Sequence, residues 1–188
     1  MCRSSRLPLL AALLALFANA GHAATPSPAP DSLQPLLATM YERLNIGDLA
    51  ALAKWDSGKP IQDNAREALV IAAARKQATQ YKVNPDEFAD LIAAQIEASK
   101  VVQYGRRAQW QAAGKAPPAP RQDLDKQIRP QLDLLQKRLL QQYAAFSRYR
   151  TDPDCPHWLG KTRATLIKDQ LHGQALIRAS GELCAVGR

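Results

Sequence analysis

Gln95, Ser99 and Gln103 stand one helical turn apart in a segment whose other recurring residues, Phe88, Leu91, Ile92, Ile96 and Val102, are apolar. At roughly 100° per residue the three polar side chains fall inside the apolar arc, while Ala93, Glu97 and Lys100 fall opposite. Burying an amide or hydroxyl without a partner costs on the order of 2 kcal/mol. These groups therefore require partners from other helices, or a ligand. A satisfied core network accounts for any one of them, whereas three neutral donors in a row read as the wall of a polar pocket. No acidic cluster shares that face, so no metal is expected on it.

A second set of polar residues lies in KWDSGKPIQDNARE, between two helical segments, where Lys54, Asp63, Arg66 and Glu67 flank a Gly58-Lys59-Pro60 break. Taken alone this is a solvated loop. Set against the Gln/Ser row, Lys54, Arg66 and Glu67 form the opposite wall of a pocket for a small anion, and Gly58 and Pro60 form the hinge that turns one helix into the next. Asp56 and Lys59 read as solvated loop charges.

Other chemistries lack their residues. Outside the N-terminal leader the histidines are His157 and His172, in no ligand-like spacing with cysteine or carboxylates. There is no glycine-rich phosphate loop and no nucleophile elbow. An enzyme built from this sequence works without a cofactor or an activated nucleophile.

The N-terminus explains the cysteines. Arg3 and Arg6 precede an apolar run from Leu7 to Phe17 and small residues at Ala18 to Ala20 and Gly21 to Ala23. This is the order of a secretory signal peptide, and the run is short of the ~20 residues that span a bilayer. Residues 1–23 are expected to be cleaved after Ala23, with Ala20 the alternative, giving a periplasmic or secreted protein with no membrane segment. Loss of Arg3 and Arg6 takes the formal charge from +8 to +6. Two cysteines remain, Cys155 and Cys184, and in an oxidising compartment they read as a disulfide. Residues 24–30, ATPSPAP, read as a flexible leader, and residues 31–188 as a single domain large enough for its own core. The basic residues are spread among acidic ones without a recognition motif, which argues against nucleic acid as a partner.

No segment alternates as a half-buried strand would, so the fold class is all-α. A first helix is expected from Asp31 or Ser32, with Gly47-Asp48 as a stop and a short continuation through Leu49, Leu52 and Trp55. Asp63 caps a second helix running to about Tyr81. Asn84-Pro85-Asp86-Glu87 opens a third, with Glu87 reaching back as in a capping box, and it continues to about Trp110. GKAPPAP, residues 114–120, is a stiff connector. A fourth helix carries Ile128, Leu132, Leu135, Leu139 and Phe146 on one face, and Pro130 either kinks or opens it. In one straight helix Cys155 and Cys184 would lie ~40 Å apart, against the ~7 Å limit of a disulfide. The C-terminal region is therefore a helical hairpin, turning at His172-Gly173.

The ordered set Glu42-Arg43-Leu44, Lys54-Trp55, Pro60-Ile61-x-Asp63-x-x-Arg66-Glu67 and Gln95-Ile96-x-x-Ser99-x-x-x-Gln103-Tyr104 resembles the all-helical chorismate mutases, in their exported subclass. The signal peptide, the Pro-rich connector, Arg129 and the Cys155/Cys184 pair extend the likeness over most of the chain. The resemblance implies a bundle of about six helices, a homodimer with each pocket inside one subunit, and rearrangement of chorismate to prephenate with no cofactor. It assigns Lys54 and Gln103 to the ether oxygen, and Arg43 and Arg129 to the two carboxylates with Arg66 lining the site. Asp63 and Glu67 are assigned to the ring hydroxyl, and Ser99 to a carboxylate. Asp63 also serves as a helix cap, and Arg121 and Arg138 compete with Arg129 for its assignment. Some exported members have Thr in place of Ser99 and Glu in place of Gln103, and Val70 stands where some relatives carry a polar residue. The alternatives are an isochorismate pyruvate-lyase on the same fold and a non-enzymatic helical periplasmic binding protein.

Overall fold

The computed structural model describes residues 26–186; the expected signal peptide lies outside the described residues. Among these residues the chain forms six α-helices and no strand: α1 Leu33–Ser57, α2 Asn64–Ala78, α3 Pro85–Ala113, α4 Arg129–Phe146, α5 Cys155–Leu166 and α6 Gln170–Ala179. α3 is the central element and packs against α1, α2 and α6, while α1 also meets α4, α5 and α6. Leu36, Leu37, Met40 and Leu44 of α1 share one core with Phe88, Leu91 and Ile92 of α3 and with Leu139, Tyr143 and Phe146 of α4.

α1 passes through Gly47-Asp48 without interruption, which corrects the expected stop. Gly47 serves packing instead: a Cβ there would come within 3.3 Å of Ser99 Oγ and 3.4 Å of Val102 Cγ1, so its hydrogen lets α1 approach α3 closely. The helix ends one turn beyond Lys54, where Gly58 adopts φ 68°, a left-handed conformation open to glycine at no steric cost.

Asp63 caps α2 by accepting the Arg66 N–H at 3.1 Å, and Glu67 Oε1 accepts the Asp63 N–H at 3.1 Å. Asn84 caps α3 through the N–H groups of Asp86 and Glu87. The Glu87 carboxylate does not reach back as expected. It pairs with Arg150 and accepts from the Tyr143 hydroxyl, because a guanidinium only 6% exposed needs a counter-charge more than a surface N–H needs an acceptor.

Pro130 opens α4 rather than kinking it. A wide π turn, Leu124–Ile128, leads into the helix, and its closing bond runs from Ile128 N–H to the Asp123 carbonyl at 3.1 Å. In the first turn of α4 the missing proline N–H leaves no bond unmade.

Cys155 and Cys184 form the expected disulfide, their Cα atoms 5.8 Å apart. The C-terminal hairpin turns at residues 167–169, not at His172-Gly173, which lie inside α6. Asp169 is the cap, accepting the His172 N–H at 2.9 Å, and Gly173 leaves room for Ile167, whose Cγ2 would stand 2.9 Å from an added Cβ. Here the glycine marks a close contact between chain segments, not a turn. At the other end of the chain, Ser27 donates through both N–H and hydroxyl to Asp154 at 2.7 Å, and its carbonyl accepts the Trp158 indole N–H at 2.6 Å.

Candidate active site

α1, α2, α3 and the start of α4 enclose one cavity of about 920 Å³, its open mouth included. Its lining contains Arg43, Lys54, Asp63, Arg66, Glu67, Ser99, Gln103 and Arg129, the eight residues to which the resemblance assigns a substrate contact. Gln95 and Val70 line it too, and its apolar floor is made by Ile46, Ala50, Leu124 and Leu132.

Each wall follows from local structure. α1 supplies Arg43 and Lys54, three turns apart on one face. Arg43 is buried, with Nη1 donating to the Leu132 carbonyl at 3.0 Å and Nε left without a partner. Burial pulls this guanidinium down to about 10, partly opposed by the charge of Asp133, so it remains a cation at neutral pH. Half-buried Lys54 donates to the Ile61 carbonyl at 2.7 Å across the turn that Gly58 and Pro60 create. Its ammonium is also lowered, first by burial and then by the neighbouring Arg129 charge, with Asp63 and Glu67 acting the other way.

The α2 cap places Asp63, Arg66 and Glu67 at the mouth. Arg66 forms no ion pair or side-chain hydrogen bond among the described residues, which leaves its guanidinium free for an anion. From α3 come Gln95, Ser99 and Gln103. Gln95 Nε2 donates to the Ala179 carbonyl at the end of α6, 2.8 Å away, and Gln103 Nε2 donates to Ser99 Oγ at 3.1 Å. The carbonyl oxygens of both glutamines are buried without a partner. The structural and the pocket readings of Gln95 thus both apply: its nitrogen ties two helices together while its oxygen remains unsatisfied beside the cavity.

Arg129 enters from the first turn of α4, paired with Asp125. Its competitors point elsewhere: Arg121 pairs with Asp56 at 2.5 Å and Arg138 with Glu42 at 2.6 Å, and neither lines the cavity. Asp56 and Lys59 are accordingly ion-paired at the surface, Lys59 with Asp125 at 3.8 Å, and not merely solvated.

Three polar residues of the lining were not anticipated. Asp133 and Gln136 follow Arg129 at i+4 and i+7, the spacing of one helix face, which is a signal present in the sequence. Lys100 falls opposite the apolar arc of α3, yet its long stem brings the ammonium back to the cavity, 3.0 Å from Glu67 Oε2 and 2.7 Å from Glu97 Oε1. With it, five basic side chains face three carboxylates, so the cavity carries a net positive charge over an apolar floor. Such a lining suits a compact organic anion.

Residues 34–104 match the family of chorismate mutase type II. The secreted chorismate mutase of Mycobacterium tuberculosis is 28% identical over 177 residues, spanning 92% of this chain and 88% of that protein. The secreted chorismate mutase of Mycolicibacterium smegmatis is 33% identical over 138 residues, 72% of this chain and 75% of its own length. Among solved structures, chorismate mutase from Burkholderia phymatum superposes with a TM-score of 0.78 at 38% identity, covering 82% of this chain and 97% of that one. The chorismate mutase from Burkholderia thailandensis gives 0.79 at 34% identity over 82% and 100% of the two chains. The likeness covers the helices that build the cavity as well as the hairpin behind them, and on that basis this chain belongs to the chorismate mutase family, type II.

Proposed function

We propose that this protein rearranges chorismate to prephenate by capturing one conformer of the dianion and stabilising the charge that develops at its ether oxygen. The observation that carries the proposal is the convergence of the eight expected residues on one net-positive cavity with an apolar floor. The reaction is unimolecular and pericyclic. One C–O bond breaks as one C–C bond forms within the same molecule, with no proton, electron or water exchanged. The protein's work is then orientation and electrostatics.

In this reading Arg43 and Arg129 hold the two carboxylates, each planar guanidinium matching the geometry of a carboxylate, with Arg66 adding charge at the mouth and Ser99 a hydrogen bond. The ring sits over Ile46, Ala50 and Leu132, and its hydroxyl meets Glu67 and the Asp63 backbone. Lys54 and Gln103 donate to the ether oxygen. Lys54 is already oriented by the Ile61 carbonyl, so little reorganisation is required as negative charge grows. A homodimer and export to the periplasm or beyond accompany the proposal; both relatives reported above carry the word secreted in their names, and no helix among the described residues is long and apolar enough to cross a membrane.

Purified mature protein is expected to remove chorismate absorbance at pH 7 far above the uncatalysed rate, yielding prephenate. An unchanged background rate would refute the assignment. Release of pyruvate from isochorismate, with no action on chorismate, would replace it with the lyase.

A further inference from the structure

We propose that Lys100 is a positioning residue, which fixes the Glu67 carboxylate for the substrate's ring hydroxyl and keeps it away from Lys54; the inference rests on the chorismate mutase reading above. Glu67 is held at both oxygens by different elements. Oε1 accepts the Asp63 N–H at 3.1 Å, and Oε2 accepts the Lys100 ammonium at 3.0 Å. The lysine is well covered, its side chain 13% exposed against 19% for Glu67, so this pair is shielded from water far more than an ordinary surface ion pair. Its second partner, Glu97, is half-exposed and anchors the ammonium from the rim at 2.7 Å.

A carboxylate has about four lone-pair positions. Two of those on Glu67 are taken, one on each oxygen, and the remainder can accept a hydroxyl from the cavity. Without Lys100 the nearby cations are Lys54 from α1, Arg66 from α2 and Arg129 from α4, all lining the same cavity. The charge of Glu67 already reaches Lys54, raising its affinity for a proton, while Lys100 acts in the opposite sense. Removing Lys100 therefore frees Glu67 to turn toward Lys54 and to occupy the donor that the ether oxygen needs. Burial pulls the Lys100 ammonium down, but its bonds to Glu97 and Glu67 outweigh this and raise it overall, so it remains charged through the working range.

The test compares Lys100→Met and Lys100→Arg, in wild-type and Glu67→Gln backgrounds, on chorismate and on an analogue lacking the ring hydroxyl. Wild-type turnover of chorismate tests the function assignment by itself. Lys100→Met is expected to raise KM for chorismate ~10-fold, the scale of one hydrogen bond to a charged group, and to lower kcat. Lys100→Arg should restore most of both. On the analogue, the rise in KM should be absent, and in the Glu67→Gln background Lys100→Met should change neither parameter more than about twofold. Wild-type kinetics in Lys100→Met would overturn the inference. So would an equal KM loss on both substrates, or a full loss without Glu67, since the lysine would then act as a bare charge on the substrate carboxylates.

Discussion

Gln103 donates its amide nitrogen to the hydroxyl of Ser99, 3.1 Å away and one turn earlier on α3, while its own carbonyl oxygen is buried without a partner. A hydroxyl donates as readily as it accepts, so the pair has a second state: the amide turns over, Ser99 donates to its oxygen, and the nitrogen faces the cavity. In that state every buried polar atom of the pair is satisfied once a ligand oxygen accepts from the nitrogen. The resting arrangement instead leaves the amide oxygen without a donor, so an acceptor arriving in the cavity favours the turned state, which suits the proposed donation to the ether oxygen.

Replacing Gln103 by Glu makes donation conditional on a proton. The variant is expected to work only in its protonated form, so its activity should fall as pH rises through the carboxyl pKa, whereas the wild-type amide donates at every pH. A kcat profile displaced toward acid confirms the contact; an unchanged profile removes Gln103 from the ether oxygen.

With Lys54 proposed to donate to the ether oxygen as negative charge develops there, Lys54→Ala is expected to cost ~100- to 1000-fold in kcat, with a smaller change in KM. The lysine's pH dependence follows from its surroundings. Burial and the Arg129 charge lower its pKa in the free enzyme, so the required ammonium is lost as pH rises through a value below the ~10.4 of free lysine. The alkaline limb of kcat/KM should lie below that value, and the limb of kcat should lie higher, because a bound dianion favours the charged form.

Gly47 sets the distance between α1 and the Ser99 hydroxyl. Alanine there gains up to ~1 kcal/mol of helix propensity, but its Cβ stands 3.3 Å from Ser99 Oγ and displaces it by tenths of an ångström. Gly47→Ala is therefore expected to hold its melting temperature while losing severalfold in kcat. Full activity would mean that Ser99 has slack.

Cys155 and Cys184 close a loop of 29 residues in sequence separation, worth ~3–4 kcal/mol in the chain-entropy account. Cys184→Ser is expected to lower the unfolding free energy by that amount and leave KM almost unchanged, since neither cysteine lines the cavity. Chemical denaturation of both forms, with kinetics at low denaturant, checks both parts.

What the sequence determined by itself is the part of the protein governed by short-range rules. Asp63 and Asn84 cap because each side chain meets N–H groups two or three residues on, wherever the rest of the chain lies. Gln95, Ser99 and Gln103 were legible because they recur at one-turn intervals, Lys54, Asp63 and Arg66 through their resemblance to the family's ordered pattern, and the disulfide because a single cysteine pair remains in an exported chain, which in turn forces a hairpin. Tertiary structure decided what depends on contact between elements. Gly47 and Gly173 read as breaks in one dimension and proved to be points of close approach, since a missing side chain serves either purpose. Arg129 was separated from Arg121 and Arg138 only by where Asp56 and Glu42 stand to receive its rivals. Lys100 belongs to the cavity although its Cα faces away from the apolar arc, because a four-carbon stem reaches farther than the angle between neighbouring helix positions, and only the folded position of Glu67 determines where its charge comes to rest.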